Sequence, residues 1–598
     1  METGSHDRRE PASADTAEAP GNPDRRTILK GLALAVGGSV APALFMSAAR
    51  AATASAPVVE TAAGRLRGLH VDGVDVFKQV HYAASTGGAN RFLPPQPLQP
   101  WSGVLDATMF GPSAPQHVDK LDALSAWYAT IEPVSEDCLH LNVFAPSAGR
   151  TQAKRPVMVW LHGGGWWGCA GTAPGFDGTR LAQRGDVVVV TVNHRLNLFG
   201  YLYLGDADER FADAGNAGIL DLVAALRWVR ENIAAFGGDP DNVTIFGQSG
   251  GASKVGALMD MPAAHGLFHK AVIESCSGGL HLDTQEEAAR QTQALCANLG
   301  LASPDPAALQ ALPVDALLAA MRALSDPFRP VLDARTFTRH PFDPDAPPQS
   351  ASVPLLIGNA ATEMTLYMAA DPHNFAIDWP TVERRLGLLL RIDAAGVTRV
   401  IDAYRGAAGS ASATDVLAAV STDYVFRRNT TRIAELQSAQ APVFDYVFDW
   451  KTPVMGGVLH SPHTIEVPFV FGTIKAATGL VGNGPQLERL SRDVMGAWTA
   501  FAHTGDPNTP ALPSWPRYDA TGRATMMLDL QSHVERNPGG TARSALDGLP
   551  PYEYNIDRNC VVRGGGRGCM GDTTRDRARP RSARSCRTLL GLTKQHVM

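Results

Sequence analysis

The sequence is short of cysteine and has no excess of positive charge. Seven cysteines in 598 residues, odd in number and scattered, make neither a disulfide framework nor a Cys-x-x-Cys metal knuckle. Cys138, Cys169, Cys276 and Cys296 therefore read as ordinary buried thiols. A formal charge of −6 leaves no electrostatic footprint for nucleic acid. No internal repeat is evident. What is present is 44% hydrophobic and 19% charged residues, the balance of a soluble globular protein with ample material for a core. The length exceeds a usual single core, but large α/β enzymes often form one unit with inserted helical regions. One large domain flanked by tails is expected.

The tails differ in texture from the middle. Residues 1–23 are rich in Pro, Ala, Gly, Asp and Glu without apolar periodicity, which predicts disorder. Asp24–Lys30 reads DRRTILK and is followed by GLALAVGGSVAPALFMSAA and the small-x-small pattern Ala49-Arg50-Ala51. This pattern is that of a twin-arginine export signal, with Arg25 and Arg26 as the pair, and it implies a periplasmic or secreted protein. The rival reading is a membrane anchor, since 19 mostly apolar residues can just span a bilayer. The glycines, the proline and the cleavage pattern favour removal, and no stable membrane insertion is expected afterwards. At the other end, Arg558–Met598 carries ten Lys or Arg against two Asp, a composition expected to form a floppy basic end. The expected division is 1–51, 56–545 and 546–598.

Between the tails the chain alternates strands and helices. VVETAAGRLRG and VDVFKQV look like paired strands. Uniformly apolar strands are expected within Ser135–Pro146, at Val157–Leu161 and within Asp186–Asn193, with Gly218–Phe236 at helical spacing after them. Further strands are expected at Val243–Phe246, Ala271–Ser275, Pro354–Ile357 and Val443–Trp450, an alanine-rich helical insertion at Gln285–Leu324, and a late helix at Leu487–His503. Strands apolar on both faces belong to a mainly parallel sheet covered by helices, so the fold class is α/β with helical insertions.

Val243–Leu258 reads VTIFGQSGGASKVGAL, a strand, the motif G-x-S-x-G and a helical run. A serine at such a turn projects its hydroxyl above the sheet, near helix N-terminal amides that can stabilise negative charge. With 58 glycines, a chance match arises in about a third of chains this long, and a passive serine in a glycine-rich turn is the competing reading. A serine nucleophile needs a base and preorganised donors for the oxyanion. The run His162-Gly163-Gly164-Gly165-Trp166-Trp167 follows an earlier strand and brings bare backbone amides, so Gly164, Gly165 and Gly250 are the candidate donors.

At this point the chain resembles the type-B carboxylesterase and cholinesterase family of α/β-hydrolases, over about Val58–Asp529. The blocks EDCLHLNV, HGGGWW, VNHRLNLFG, GNAGILD, FGQSGGA, GNAATE, HTIEVPFVFG and WTAFAHTGDPN carry the similarity, in the family's order. The resemblance implies an α/β-hydrolase fold and a Ser-His-Glu triad cleaving small-molecule carboxylic esters through an acyl-enzyme, with no metal or organic cofactor. Ser249 is the implied nucleophile, Glu363 the acid and His463 the base. His460 is the confusable neighbour, but His463 stands three before Glu466 and five before Pro468, as the family pattern requires. The resemblance also implies ion pairs Arg91–Glu136 and Arg195–Asp221. Some relatives are non-catalytic adhesion or binding proteins, which is the alternative reading of the scaffold.

Three departures matter. Gln248 stands where the family commonly has Glu, which removes a charge that would favour cationic substrates. Cys138 matches a cysteine often paired in the family, but Ala114 occupies the partner position, so that disulfide is not expected. Trp166 and Trp167 replace a commoner Phe-containing pair, either lining an apolar pocket or packing in the core. Replacing Arg25 and Arg26 together by lysine is expected to hold the protein in the cytoplasm, checked by fractionation and immunoblotting. Undiminished export would exclude the twin-arginine route.

Overall fold

The computed structural model describes residues 56–117, 122–148, 153–278, 280–324, 328–408, 411–552 and 561–562. The twin-arginine segment, its cleavage pattern and residues 563–598 of the basic tail lie outside the described residues. Eleven strands form one mixed sheet: β1 Leu69–Val71, β2 Val74–His81, β3 His140–Pro146, β4 Arg155–Leu161, β5 Val188–Val192, β6 Gly238–Gln248, β7 Lys270–Glu274, β8 Leu355–Ala360, β9 Val443–Phe448, β10 Ala524–Leu528 and β11 His533–Arg536. Their spatial order is β11-β10-β9-β8-β7-β6-β4-β5-β3-β2-β1. The run from β10 to β5 is parallel throughout, and antiparallel pairs occur only towards the two edges.

Burial on both faces explains the apolar strands. In β4, Val157, Val159 and Leu161 enter one core layer while Met158 and Trp160 enter the layer on the opposite face. β6, β7 and β8 repeat this alternation, with Ile245, Ile273 and Ile357 on one side and Phe246, Val272 and Leu356 on the other. Helices close both faces: α1 Thr179–Gly185 crosses from β4 to β5, α2 Ala217–Asn232 from β5 to β6, and α3 Gly250–Asp260 from β6 to β7.

The expected pairing of the first two segments is corrected by turn chemistry. Val58–Glu60 folds back on Arg65–Arg67 through a tight turn in which Thr61 and Gly64 exchange backbone hydrogen bonds. Val74–His81 pairs instead with β1 and β3, because Asp72 and Gly73, with φ of 49° and 79°, make the two-residue turn that matches hairpin twist.

The expected insertion at Gln285–Leu324 breaks into three helices, Gln285–Asn298, Pro306–Ala311 and Val314–Arg322, interrupted at Gly300 and Pro313. A second insertion, between β8 and β9, was not expected. It holds α4 Trp379–Leu390, α5 Ala394–Ala408, α6 Ala413–Thr422 and α7 Arg428–Ser438, with a π-helical turn at Asp423–Arg427. Val382, Leu386, Leu389 and Leu390 give α4 a buried stripe in a third core cluster, where Leu546 and Tyr552 also pack. The late helix α8 spans Pro485–Thr504. Among the described residues no helix is long and apolar enough to cross a membrane.

Both expected ion pairs are present and fasten loops to the core. Arg195, 1% exposed, meets Asp221 in a two-pronged contact at 2.8 and 2.6 Å and donates to the Leu93 carbonyl at 2.6 Å. Arg91 grips Glu136 at 2.6 Å through two nitrogens and donates to the carbonyls of Gln310 and Leu312, tying the first insertion to an early loop. Cys138 is a free, buried thiol. Removing one partner of a buried pair strands the other charge, so Arg195→Met is expected to lower unfolding free energy by about 3–5 kcal/mol, measured by urea denaturation. A midpoint equal to that of the wild type would refute the role.

Candidate active site

The site is built where two neighbouring strands end. Leu161 at the end of β4 pairs with Gly247 near the end of β6, so the turns that follow them lie side by side. β6 stops at Gln248 and α3 starts at Gly250, leaving Ser249 between them at φ 59° and ψ −120°. A non-glycine residue held there is strained, and the surrounding contacts hold it. A Cβ on Gly251 would lie 1.9 Å from the Leu161 carbonyl oxygen, and one on Gly250 would lie 2.5 Å from the Gly165 Cα. Glycine is therefore required on the helix side for the two turns to touch.

The Gly163–Gly165 turn is closed on itself and clamped. Gly164 and Gly165 take positive φ, 77° and 62°, and the Gly164 carbonyl accepts from the Gly168 amide at 3.0 Å. Gln116 brackets Cys169, accepting from its amide at 2.8 Å and donating to its carbonyl at 3.0 Å. No hydrogen bond among the described residues engages the amides of Gly164, Gly165 or Gly250. Trp166 and Trp167 separate in role: Trp166 is buried against Tyr201, while Trp167 faces a cavity.

That cavity, about 210 Å³, is lined by Ser249, Gly164, Gly165 and His463 together with aromatic walls from Trp127, Tyr128, Trp167 and Tyr367. A larger groove of about 1320 Å³ elsewhere is lined by none of these residues. His463, 3% exposed, donates from Nδ1 to the fully buried Glu363 carboxylate, and that carboxylate also accepts from the Ala360 amide at 2.7 Å. His460 sits apart from the cavity, its side chain 41% exposed beside Asp415. Every residue proposed from the sequence for the site, Ser249, Glu363, His463, Gly164, Gly165 and Gly250, is thus brought to one place.

Several neighbours were not anticipated. Phe426, on the π-helical turn, and Tyr367 lie against the His463 ring, with centroids 5.0 and 5.4 Å away. Gln248 places Nε2 3.3 Å from both ring nitrogens. Behind the histidine lie two more buried carboxyl groups: Glu274 accepts from the Trp498 indole at 2.6 Å, and Glu466 accepts from Ser275 at 3.0 Å. Burial pushes both above the usual carboxylate range, and for Glu466 the nearby Glu363 and Glu274 add to it. Among the described residues no group of His, Cys, Asp and Glu is arranged to hold a metal ion.

Comparison with known proteins places the chain in a family. The sequence model of the Carboxylesterase family matches residues 55–544. This chain belongs to that family. It is similar to the para-nitrobenzyl esterase of Bacillus subtilis, with 38% identity over 82% of this chain and 98% of that protein. The phenmedipham hydrolase of Pseudarthrobacter oxydans is 35% identical over 79% of this chain and 95% of its own length. The crystal structure of a carboxylesterase from Geobacillus stearothermophilus superposes with a TM-score of 0.72 at 40% identity, covering 82% of this chain and all of that one. The fold is the α/β-hydrolase fold and the chain is a carboxylic ester hydrolase, so the adhesion reading is set aside.

The Glu274 carboxyl has a direct consequence for stability. Its proton is held more tightly in the folded than in the unfolded chain, so the folded state loses stability as pH rises from the ordinary carboxylate range towards the raised folded-state value. Glu274→Gln keeps the acceptor for Trp498 and removes the titration. The melting temperature of this variant relative to wild type is expected to be higher at pH 8 than at pH 5. A difference independent of pH would show that the carboxyl does not titrate as described.

Proposed function

We propose that Ser249, His463 and Glu363 form a catalytic triad that hydrolyses carboxylic esters through an acyl-enzyme. The observation that carries this reading is His463, which lines one cavity with Ser249 while Glu363 accepts from its Nδ1. In this reading the proton sits on Nδ1, facing the Glu363 carboxylate, and Nε2 is the base for the Ser249 hydroxyl. Attack on the ester carbonyl generates an oxyanion, which the amides of Gly164, Gly165 and Gly250 stabilise. His463 then protonates the leaving alcohol, and Glu363 stabilises the imidazolium that exists between these steps. Water repeats the sequence on the acyl-enzyme and releases the carboxylic acid. Phe426 and Tyr367 confine the ring to the plane in which it can serve both steps.

The substrate class follows from the walls. A cavity of about 210 Å³ lined by Trp127, Tyr128, Trp167 and Tyr367, with no acidic side chain among its lining residues, suits a compact uncharged ester with an aromatic or short aliphatic group. The printed name of the Bacillus subtilis relative, a para-nitrobenzyl esterase, points to the same class. Export of the folded enzyme by the Arg25-Arg26 signal belongs to the same proposal; it accords with buried thiols that need no oxidising compartment.

The test is hydrolysis of p-nitrophenyl butyrate and p-nitrobenzyl acetate by the purified protein. Turnover is expected in the wild type, and Ser249→Ala is expected to lower kcat by about 10⁴- to 10⁶-fold with the melting temperature maintained. Undiminished turnover in that variant would overturn the assignment.

A further inference from the structure

Among the buried cations that this scheme does not use, one lies beside the serine turn. Lys254 lies on α3, one helical turn beyond the serine, and its side chain is fully buried. A buried ammonium is costly unless a negative charge meets it. Here the titratable groups around it are the Cys169 thiol, whose pKa burial pushes up to about 12, and the imidazoles of His162 and His194, whose pKa values burial pulls well below the usual histidine range. Burial accordingly pulls the Lys254 amine down to about 7. A leucine or methionine would avoid that cost, so the amine must supply something an apolar group cannot. Among the described residues its one hydrogen bond is 2.8 Å long and goes to the carbonyl of His162, the residue that opens the Gly163–Gly165 turn. Near it also lie the Trp166 ring, 5.8 Å away, and the stacked pair His162–His194.

We propose that Lys254 is a positioning residue, whose donation to the His162 carbonyl holds the Gly163–Gly165 turn in register with α3 and so sets the distance from Ser249 to the turn amides. The proposal rests on the triad reading above. Ser249, the Gly250 amide and Lys254 all belong to the start of one rigid helix. The Gly164 and Gly165 amides belong to a separate turn that follows β4. Steric contact between glycines limits how close the two can come, but contact alone does not stop the turn from sliding or its peptides from rotating. A hydrogen bond at the first peptide of the turn does. Its distal end is held separately, by Gln116 on Cys169 and by the Asn197 amide on the Trp166 carbonyl at 2.7 Å. Lys254 is thus the anchor at the end nearest the serine.

The test compares Lys254→Met, which keeps length and removes the donor, with Lys254→Gln, which keeps an N–H donor with less reach. Expected for Lys254→Met is a kcat lower by about 10- to 100-fold, with KM within about twofold and the melting temperature within a few degrees of wild type, because only transition-state contacts are lost. Lys254→Gln is expected to fall between the two. Affinity for a trifluoromethyl ketone, which forms the tetrahedral adduct on the serine, should weaken in step with kcat/KM across the three proteins. A folded Lys254→Met or Lys254→Gln with wild-type kcat would overturn the proposal, and so would ketone affinity that stays constant while kcat falls. If Lys254→Met does not fold, Lys254→Gln alone decides by the same two criteria. Loss of activity in Ser249→Ala combined with an unaffected Lys254→Met would sink this inference and leave the triad standing.

Discussion

Everything at the site depends on two backbone turns meeting with no side chain between them. The glycines after Ser249 abut the turn that follows β4 so closely that a single methyl at Gly250 or Gly251 would overlap its backbone. This approach is possible because β4 and β6 are hydrogen-bonded neighbours whose ends coincide at Leu161 and Gly247. The sheet order brings the turns together, and glycine lets them close. On the proposed reading, with Ser249 as nucleophile and the turn amides as donors, such placement needs no reorganisation when charge develops, which is how a static scaffold lowers a barrier. The strain at Ser249 is maintained by the same contacts, since relaxing it would require the two turns to separate.

The histidine is secured by a different part of the chain. Glu363 follows β8 and His463 follows β9, while Phe426 comes from the insertion between those strands. Next to Phe426, Arg427 forms a buried ion pair with Asp445 on β9, which also accepts from Thr525 on β10 at 2.6 Å. The insertion is therefore pinned to the sheet one residue away from the ring that backs the imidazole. Both residues lie on the π-helical turn, Phe426 against the histidine ring and Arg427 on Asp445 of the sheet. Burial pushes the Glu274 and Glu466 carboxyls above the usual range, and the neighbouring Glu363 and Glu274 carboxylates add to the shift at Glu466.

Much of this was legible in the sequence, for identifiable reasons. Strands such as Val188–Val192, with valine at four of five positions and every residue buried, belong to a sheet covered on both faces, and the G-x-S-x-G and H-G-G-G runs betray turns that only glycine can make. Ser249, His463 and Glu363 could be named because they sit in short blocks whose spacing resembles a family. The helices between β8 and β9 were overlooked, although Val382, Leu386 and Leu389 repeat at helical spacing, because no block of that segment carries the resemblance. The Asp72-Gly73 hairpin was likewise present as a dipeptide and passed over.

The sequence by itself determined the α/β class, the central strands and the helices that cross between them, and which residue types could act as nucleophile, base and acid. Those properties are local: periodicity, turn chemistry and motif spacing are carried by neighbours along the chain. Only the tertiary structure decided which aromatic side chains line the cavity, that Trp167 faces it while Trp166 does not, and that Gln248, Phe426 and Tyr367 surround one imidazole. It alone showed that a lysine in a helical run reaches a carbonyl 92 residues earlier in the chain. Such contacts join residues far apart in sequence, and their geometry is set by how whole layers pack, information that no short stretch of residues contains.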